Sequence, residues 1–241
     1  MNSASPKTLR LDRRLHELGA GTRSEVGRLI RRGHVEVDGE LKRDPAHHVT
    51  PTAQITLDGA TLDPIPRILA YNKPIGLLVT ADDPWGRPTV SQHLPERIAQ
   101  SLHPVGRLDA DTTGLLLLSS DGALTQRLTH PRHQIEKEYR ATVETEPNAD
   151  VSALLAAGVR TAEGVHTATV LRIEGHEICL TVTEGKHRMV RRMLANIGLP
   201  VLALHRERIG AIGLATLPAG ETRELTHEEN AWLDGLLRDA R

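Results

Sequence analysis

The sequence of 241 residues predicts an α+β protein with two domains, a small N-terminal one and a larger C-terminal one. Three observations predict this fold class. Apolar residues at helical spacing alternate along the chain with short runs in which apolar and polar residues alternate, as in strands. The prolines of Asp63–Pro66 stiffen a connector, because each fixes its own backbone and extends the residue before it. The length suits one large domain or two smaller ones. We therefore expect domains over residues 1–62 and 68–241, joined by a linker over 63–67.

The composition is that of an ordinary globular protein, with 39% hydrophobic and 25% charged residues. Phe is absent and aromatic residues make up 2% of the chain, so the core must consist of Leu, Val, Ile and Ala. The single cysteine, Cys179, excludes an internal disulfide and a cysteine-based zinc site. The 13 histidines are scattered without a metal-binding pattern. Neither a signal peptide nor a membrane-spanning run is found. We expect a cytoplasmic monomer that binds no metal and no cofactor.

The N-terminal domain is predicted to contain two helices and a hairpin. Residues 1–6 are polar and end in proline, which indicates a disordered tip. Thr22–Glu25 forms a capping-box pattern at the start of the second helix, and Gly33 is placed as the C-terminal cap of that helix. The Asp38-Gly39 pair, after alternating valines, predicts a hairpin turn. The buried stripes of the two helices are predicted to be Leu11, Leu15 and Leu18, and Val26, Leu29 and Ile30.

The positive charge of the chain is concentrated on these two helices. Eight basic and three acidic residues stand between Lys7 and His34, a balance of +5, although the whole chain has a net charge of −1. Such a footprint is typical of nucleic-acid binding. A solvated helical surface is the alternative, since arginine is a good helix former. The residues that we expect to bind nucleic acid are Arg10, Arg13, Arg14, Arg23, Arg28, Arg31 and Arg32.

The second domain is organised around a stretch from His103 to Gly122. Two carboxylates, Asp109 and Asp111, stand in a polar turn before the apolar run Leu115–Leu118, which is predicted to be a buried strand. Three interpretations compete for this turn. It can be a local turn held by Asp and Thr side chains, a calcium loop, or a loop whose carboxylate does chemistry beside Arg107. The calcium loop is excluded because Ser120 stands where a bidentate Glu is needed.

The other elements of this domain follow from periodicity. The loop Asp82–Arg87 carries Trp85, which can stack on a base or pack in the ordinary way. We predict a strand-turn-strand over Ile68–Thr80 with Lys73 in its turn, helices over Ala123–Leu128 and Ala149–Ala157, strands over Tyr139–Val143, Val165–Ile173, Glu177–Thr183 and Val201–Gly210, and a C-terminal helix capped by Thr226–Glu229, with Trp232 in its packing stripe.

A further helix is predicted to open at Glu184 and to carry a basic face. At 100° per residue, Met189, Val190 and Met193 fall in one arc, while the arginines fall opposite. This face is either an ordinary solvated surface or a surface that binds phosphates. The arginines on it are Arg188, Arg191 and Arg192.

The run GRLDADTTGLLLLSSDG resembles the active-site motif of the ribosomal RNA pseudouridine synthases of the RsuA and RluB type. Further matches are NKPxG, the KxY of the Tyr139 strand, EGKHRMVRRML and VLALHRERIG. Leu9–Gly59 resembles the S-four-type RNA-binding domain. The resemblance implies a small N-terminal RNA-binding domain and a catalytic domain with a mixed, mostly antiparallel central sheet and flanking helices. The chain departs from the family pattern at His187, where Asn or Tyr is frequent, and at Met189.

By this resemblance, Asp109 is the catalytic residue, Tyr139 stacks on the target base, and Arg191 pairs with Asp109. It also implies conversion of uridine to pseudouridine in ribosomal RNA or a ribosomal subunit precursor, on a base flipped out of its stack. The residues expected to bind the substrate are Arg107, Lys73, Leu204, Arg188 and Arg192.

The resemblance leaves three alternatives open. Asp109 can attack the sugar, attack the ring or abstract a proton. LHRERIG favours the small-subunit RNA as substrate, whereas EGKHRMVRRM is closer to members of the family that modify the large-subunit RNA. The alternative to an enzyme is a non-catalytic RNA-binding or ribosome-assembly factor.

Overall fold

The computed structural model describes residues 8–80 and 82–238 of the chain. The disordered tip that the sequence predicts for residues 1–6 lies outside these residues. The described chain forms two compact units, one made of residues 8–66 and 95–101 and the other of residues 67–94 and 102–238. That these units fold as separate domains divided at residues 63–67 stays a prediction.

The first unit contains a helix pair and small antiparallel sheets. Its elements before residue 67 are β1 (Leu9–Arg10), α1 (Leu11–Glu17), α2 (Arg23–Arg32), β2 (Val35–Val37), β3 (Glu40–Lys42), β4 (His48–Val49), β5 (Ile55–Leu57) and β6 (Ala60–Thr61). Strands β3, β2, β5 and β6 form one sheet in that order, and β1 pairs with β4. A core of leucine, valine and isoleucine side chains joins both helices to this sheet.

The local signals at the ends of α2 are confirmed. The Thr22 hydroxyl accepts a hydrogen bond from the Glu25 amide while the Glu25 carboxylate accepts one from the Thr22 amide, so the capping box forms. Gly33 ends the helix with φ +85°, in the left-handed region that favours glycine. Asp38 and Gly39 both have positive φ in the β2–β3 hairpin, as the Asp-Gly turn predicts.

The second unit is built on a nine-stranded sheet. Its elements, together with α4 of the first unit, are β7 (Ile68–Lys73), α3 (Val90–His93), α4 (Glu96–Ser101), β8 (His103–Val105), β9 (Thr112–Ser119), α5 (Gly122–Thr129), a 3₁₀ turn (Pro131–His133), β10 (Lys137–Val143), α6 (Val151–Ala157), β11 (Val159–Thr161), β12 (Gly164–His166), β13 (Thr169–Glu174), β14 (Glu177–Val182), α7 (Met189–Asn196), β15 (Val201–Ile209), β16 (Ile212–Gly213), β17 (Thr222–Glu224) and α8 (His227–Arg238).

The sheet order is β13-β14-β10-β15-β9-β7-β17, with β16 added to β15 and β8 added to β9. Within the described residues, β9 and β15 are the one parallel pair of this mixed sheet, and the other pairs are antiparallel. The α+β class and the mostly antiparallel sheet are therefore confirmed. Gly114 permits the parallel junction, because a Cβ there would lie 2.3 Å from the carbonyl oxygen of Arg206.

Strand β9 forms the centre of the core. Its four leucines, Leu115–Leu118, are fully buried, as their unbroken apolar run predicts. Leu115 and Leu117 pack in one cluster with residues of α5 and α8, including the partly buried Trp232. The strand therefore holds the loop that precedes it, Asp109–Asp111, against a fixed support.

Three predicted elements differ from the structure. The helix predicted from Glu184 begins at Met189, because Arg188 has φ +51° and interrupts the helical backbone. The strand predicted over Val165–Ile173 is two strands, β12 and β13, divided at residues 167–168. After β7 the predicted second strand is reduced to one isolated bridge between Leu78 and Thr89.

Candidate active site

A cavity of about 410 Å³ opens in the second unit where β9, β10 and β15 lie side by side. Asp109 and Arg107 line it from the loop before β9, Tyr139 from β10 and Leu204 from β15. Tyr139 and Leu204 are both buried, so they form part of the wall rather than of the rim. Four residues that the sequence predicts at the site, spread over more than 90 positions of the chain, thus meet in one cavity.

The backbone of the Asp109 loop is held at every carbonyl from Asp109 to Thr112. The Asp109 carbonyl accepts from the Thr112 amide at 3.0 Å, and the Ala110 carbonyl accepts from the Gly76 amide at 2.7 Å. The Asp111 carbonyl accepts from Arg191 at 2.7 Å. The Thr112 carbonyl accepts from Lys73 at 2.9 Å. The loop is therefore a rigid support for the side chains that it carries.

Lys73 is a correction to the sequence analysis, which places it at the substrate. The side chain is fully buried (0% exposed), and its ammonium group donates to the carbonyls of Pro74, Ala110 and Thr112. Burial lowers the pKa of Lys73 to about 8, although the charges of Asp111 and Asp109 oppose that change. Lys73 thus holds the loop from behind and does not line the cavity.

The carboxylate of Asp111 is fully engaged by arginine. Arg188 donates from both terminal nitrogens to its two oxygens, at 2.9 and 2.8 Å, in the bidentate geometry that arginine favours. The hydrogen bonds from Arg188 hold the pKa of Asp111 below its ordinary value, against the opposing effect of partial burial. Arg188 has a left-handed backbone, and its side chain forms part of the cavity wall.

Arg191 is the second correction. Arg191 is predicted to pair with Asp109 and to lie on a face that is either solvated or binds phosphates, but it is 8% exposed and lies on the buried side of α7. Its guanidinium donates to the carbonyls of Asp111 and Val201, at 2.7 and 3.0 Å, and its Nε lies 3.5 Å from the Asp111 carboxylate. Among the described residues, no ion pair or hydrogen bond joins Arg191 to Asp109.

As a result, the two carboxylates of the loop differ. Asp111 is tied to Arg188 and Arg191, whereas the carboxylate of Asp109 makes no hydrogen bond or salt bridge with any residue that the structure describes. Asp109 is partly buried and lines the cavity. It is the carboxylate that remains available to a bound molecule.

Arg206 is a site residue that the sequence analysis missed. It is buried on β15, donates from Nε to the Leu115 carbonyl at 2.8 Å and from Nη1 to the Tyr139 hydroxyl at 3.4 Å, and lies 5.9 Å from the centre of the Tyr139 ring. Its Nη2 is buried without a hydrogen-bond partner in the described part of the chain. The period of two along a strand gives the missing signal, because it puts Arg206 on the same face as Leu204.

Lys137 was also missed, although it begins the KEY segment that contains Tyr139. It is buried, lines the cavity and donates to the Thr183 carbonyl at 3.2 Å. Burial lowers the pKa of Lys137 to about 8, and the charge of Arg206 acts in the same direction. The cavity therefore has a weakly basic amine on its wall.

Comparisons with known proteins find matches in both units of the chain. Residues 67–196, more than half of the chain, match the RNA pseudouridylate synthase family, and residues 9–55 match the S4 domain. The chain belongs to the RNA pseudouridylate synthase family. The ribosomal small subunit pseudouridine synthase A of Salmonella typhimurium and that of Escherichia coli are each 41% identical to it over 229 residues, which are 92% of this chain and 99% of theirs. A crystal structure of a pseudouridylate synthase is 33% identical and covers 95% of this chain and 99% of its own, with a TM-score of 0.64.

Of the other predicted substrate contacts of this pseudouridylate synthase, Arg188 lines the cavity and Arg192 does not. Arg192 donates to Glu163 at 2.6 Å and lies 3.2 Å from the His187 ring nitrogen. The arginines predicted on one face thus have three environments: one at the cavity wall, one buried and one paired at the surface.

The seven arginines predicted to bind RNA also have different environments within the S4 unit. Arg10 and Arg13 form salt bridges with Asp12 and Glu17. Arg14 donates to a backbone carbonyl. The remaining four are exposed on α2, and none of them has a salt bridge among the residues described; they are Arg23, Arg28, Arg31 and Arg32.

Two further findings bear on the expected partners. No helix within residues 8–80 and 82–238 is long and apolar enough to cross a membrane. The same residues contain no cluster of side chains that could hold a metal ion.

Proposed function

We propose that this protein isomerises a uridine of ribosomal RNA to pseudouridine, with Asp109 as the catalytic carboxylate. The reaction breaks the bond between N1 of uracil and C1′ of the ribose and forms a bond between C5 and C1′. The hydrogen lost at C5 is balanced by one gained at N1, so neither a redox partner nor a group donor is consumed. A carboxylate can serve such a reaction as nucleophile or base.

The availability of Asp109 is the observation that carries this proposal. Its neighbour Asp111 is neutralised by Arg188 and Arg191, while Asp109 faces the cavity without a partner among the described residues. A rigid loop that leaves one carboxylate free is suited to catalysis, because a misplacement of about 1 Å can cost roughly 100-fold in rate.

The walls of the cavity suit a flipped uracil. Tyr139 offers an aromatic ring and Leu204 an apolar surface, and both contribute to the same cavity as Asp109. Arg206 holds the Tyr139 hydroxyl and keeps one buried donor, Nη2, without a partner in the described chain. A carbonyl oxygen of uracil would satisfy this donor, and an unsatisfied buried donor costs about 1–3 kcal/mol.

Arg191 is proposed to position Asp109 rather than to pair with it. Its hydrogen bond to the Asp111 carbonyl fixes the backbone two residues beyond Asp109. Arg107, which is exposed and lines the cavity, is the arginine proposed to contact the nucleotide itself.

The S4 unit is proposed to hold the RNA through α2. Four exposed arginines without salt bridges to described residues lie along this ten-residue helix. Phosphates are the chemical group that such a set recognises. The relatives that are 41% identical over nearly the whole chain are named for the small ribosomal subunit, and this supports its RNA as the substrate.

Mapping of pseudouridine tests the proposal directly. Ribosomal RNA from cells that lack the gene should lose one pseudouridine, and the wild-type gene should restore it while Asp109→Ala should not. Asp109→Asn keeps the shape of the side chain and should be equally inactive, yet it should bind the RNA with an affinity within about threefold of wild type.

Two results would contradict the proposal. If no site changes in the deletion strain, the protein is a non-catalytic RNA-binding or ribosome-assembly factor. If Asp109→Asn restores the site, another group does the chemistry. A large-subunit site would correct the substrate alone.

The proposal also includes action as a monomer in the cytoplasm. Light scattering of the pure protein should give the mass of one chain, 26.4 kDa, and a larger mass would refute the monomer. Fractionation should recover the protein with cytoplasmic ribosomal precursors.

A further inference from the structure

A second cavity, of about 540 Å³, opens beside the first in the same unit. The two share the segment Arg107–Asp109 and the pair His187 and Arg188 as walls. Asp109 thus faces both spaces. Whatever chain of nucleotides places a base in the first cavity must pass close to the second.

Trp85 lines this second cavity and is 77% exposed. The sequence contains two tryptophans, two tyrosines and no phenylalanine. Both tyrosines are buried and Trp232 is partly buried against the core, so Trp85 is the one of these four rings that is mostly exposed. A large apolar ring exposed beside an active site is a candidate binding surface rather than part of the core.

The loop presents this ring in a fixed geometry. The Asp83 carboxylate is buried and accepts hydrogen bonds from the amides of Trp85 and Arg87, at 3.2 and 2.9 Å, and from the Arg87 guanidinium. These bonds, led by that from the Arg87 side chain, lower the pKa of Asp83 from its ordinary value. The Arg87 guanidinium lies 4.9 Å from the centre of the indole ring. The protein itself therefore fixes the position of the Trp85 ring before any ligand binds.

We propose that Trp85 stacks on the base of a nucleotide adjacent to the target uridine, in this second cavity. The inference rests on the proposed function. A uridine that leaves its stack removes a stacking partner from its neighbour, and an aromatic ring replaces that contact. The indole ring itself suits a base rather than a phosphate, because the Arg87 guanidinium that lies over it is already neutralised by Asp83 and Asp82 also lines the cavity.

The test uses the full chain and a ribosomal RNA transcript around the uridine found by mapping. Trp85→Ala should raise KM about tenfold, in the range of a lost base stack, with kcat retained. Trp85→Phe keeps a ring and should stay within about threefold of wild type. Leu171→Ala removes an exposed apolar side chain that lines neither cavity, and it should leave both constants unchanged.

Transcripts with an abasic nucleotide on one or the other side of the uridine identify the stacked base. One of the two abasic transcripts should bind wild type about as weakly as the intact transcript binds Trp85→Ala. The same abasic transcript should bind Trp85→Ala no more weakly than the intact transcript does. The subsite would be overturned if Trp85→Ala left KM unchanged in an active enzyme. It would also be overturned if the abasic transcript weakened binding to Trp85→Ala as much as it weakens binding to wild type. Absence of pseudouridine with the wild-type protein would overturn the proposed function and the subsite together.

Discussion

The arginines of α2 and the arginines around the cavity do different work in the same chain. On α2, Arg28 and Arg32 are exposed and have no salt bridge among the described residues. Around the cavity, Arg191 and Arg206 are buried and donate to backbone carbonyls. Exposure and partners separate the two groups, although the residue type is the same.

The difference teaches how the charge of a residue is used. An exposed guanidinium without a partner attracts phosphates, and its effect weakens with salt. A buried guanidinium with fixed acceptors sets the position of the backbone, and salt screens it much less. We therefore expect substitutions in the first group to change affinity and those in the second to change turnover and stability.

The largest effect is expected from Arg191→Met. The substitution removes the donor to the Asp111 and Val201 carbonyls, so it should lower the free energy of unfolding by about 2–4 kcal/mol. The loop of Asp109 loses one of its anchors, so kcat should fall about 100-fold while KM for RNA changes little. Urea denaturation and single-turnover kinetics measure both quantities.

Two variants control this experiment. Arg191→Lys keeps the charge and a donor group and should recover part of the turnover. Arg206→Met frees Tyr139 and Leu115 and also removes the donor proposed for uracil, so it should lower kcat and raise KM together. A large rise in KM without a change in kcat would place Arg191 with the phosphate-binding arginines instead.

A smaller effect is expected from the double variant Arg28→Gln, Arg32→Gln on α2. Each lost phosphate contact lowers the slope of log affinity against log salt by about 0.7–0.9, so the slope should fall by between about 1 and 2. Affinity at low salt should drop roughly tenfold, and kcat at saturating RNA should stay unchanged. Filter binding at several salt concentrations measures the slope.

The matched control removes the same amount of charge from the same unit. Arg10→Gln with Arg13→Gln takes away two arginines that already pair with Asp12 and Glu17. This variant should change the slope less. Equal slopes for the two double variants would mean that net charge alone, not the α2 surface, holds the RNA.

The last prediction concerns Lys73, a buried cation that can lose its proton, which arginine cannot. Its pKa of about 8 in the folded protein lies below the value of about 10.4 for an unfolded chain. Between these values the unfolded state binds a proton that the folded state does not, so stability should rise with pH from about 8 to about 10. In Lys73→Met this rise in the free energy of unfolding should be smaller. An equal rise in both proteins, measured by urea denaturation, would contradict the lowered pKa of Lys73.

Lys137 has a similarly lowered pKa and is expected to contribute the rise that persists in Lys73→Met. The carbonyls of Pro74, Ala110 and Thr112 lose a donor in this variant, so its stability should be lower at every pH. The slope, rather than the absolute stability, is therefore the quantity to compare.

The predictable parts of the molecule depend on residues close in sequence. The Thr22–Glu25 box spans four positions, the Asp38-Gly39 turn spans two, and the Leu115–Leu118 strand is one continuous run. For the cavity, the resemblance indicated Asp109, Tyr139 and Leu204 as site residues, and all three line one space.

The partners of the charged residues could not be predicted in this way. Arg188 and Arg191 reach Asp111 across 77 and 80 positions, and Arg206 reaches Leu115 across 91. A helical wheel drawn from Glu184 assumes a regular backbone. Arg188, which binds Asp111, has a left-handed backbone instead, and the helix begins only after it. Lys73 is predicted to bind the substrate, but it is buried behind the loop. No local sequence pattern reveals that a lysine is enclosed in this way.

The four held carbonyls from Asp109 to Thr112 have a consequence for conformational entropy. Ordering a backbone costs about 1–2 kcal/mol per residue, and here that cost is incurred when the protein folds rather than when RNA binds. The loop then contributes no ordering penalty to the encounter, and the free energy of binding remains available for drawing a base out of its stack. The amide of Thr112, which donates to the Asp109 carbonyl, should accordingly exchange at the same slow rate with and without RNA.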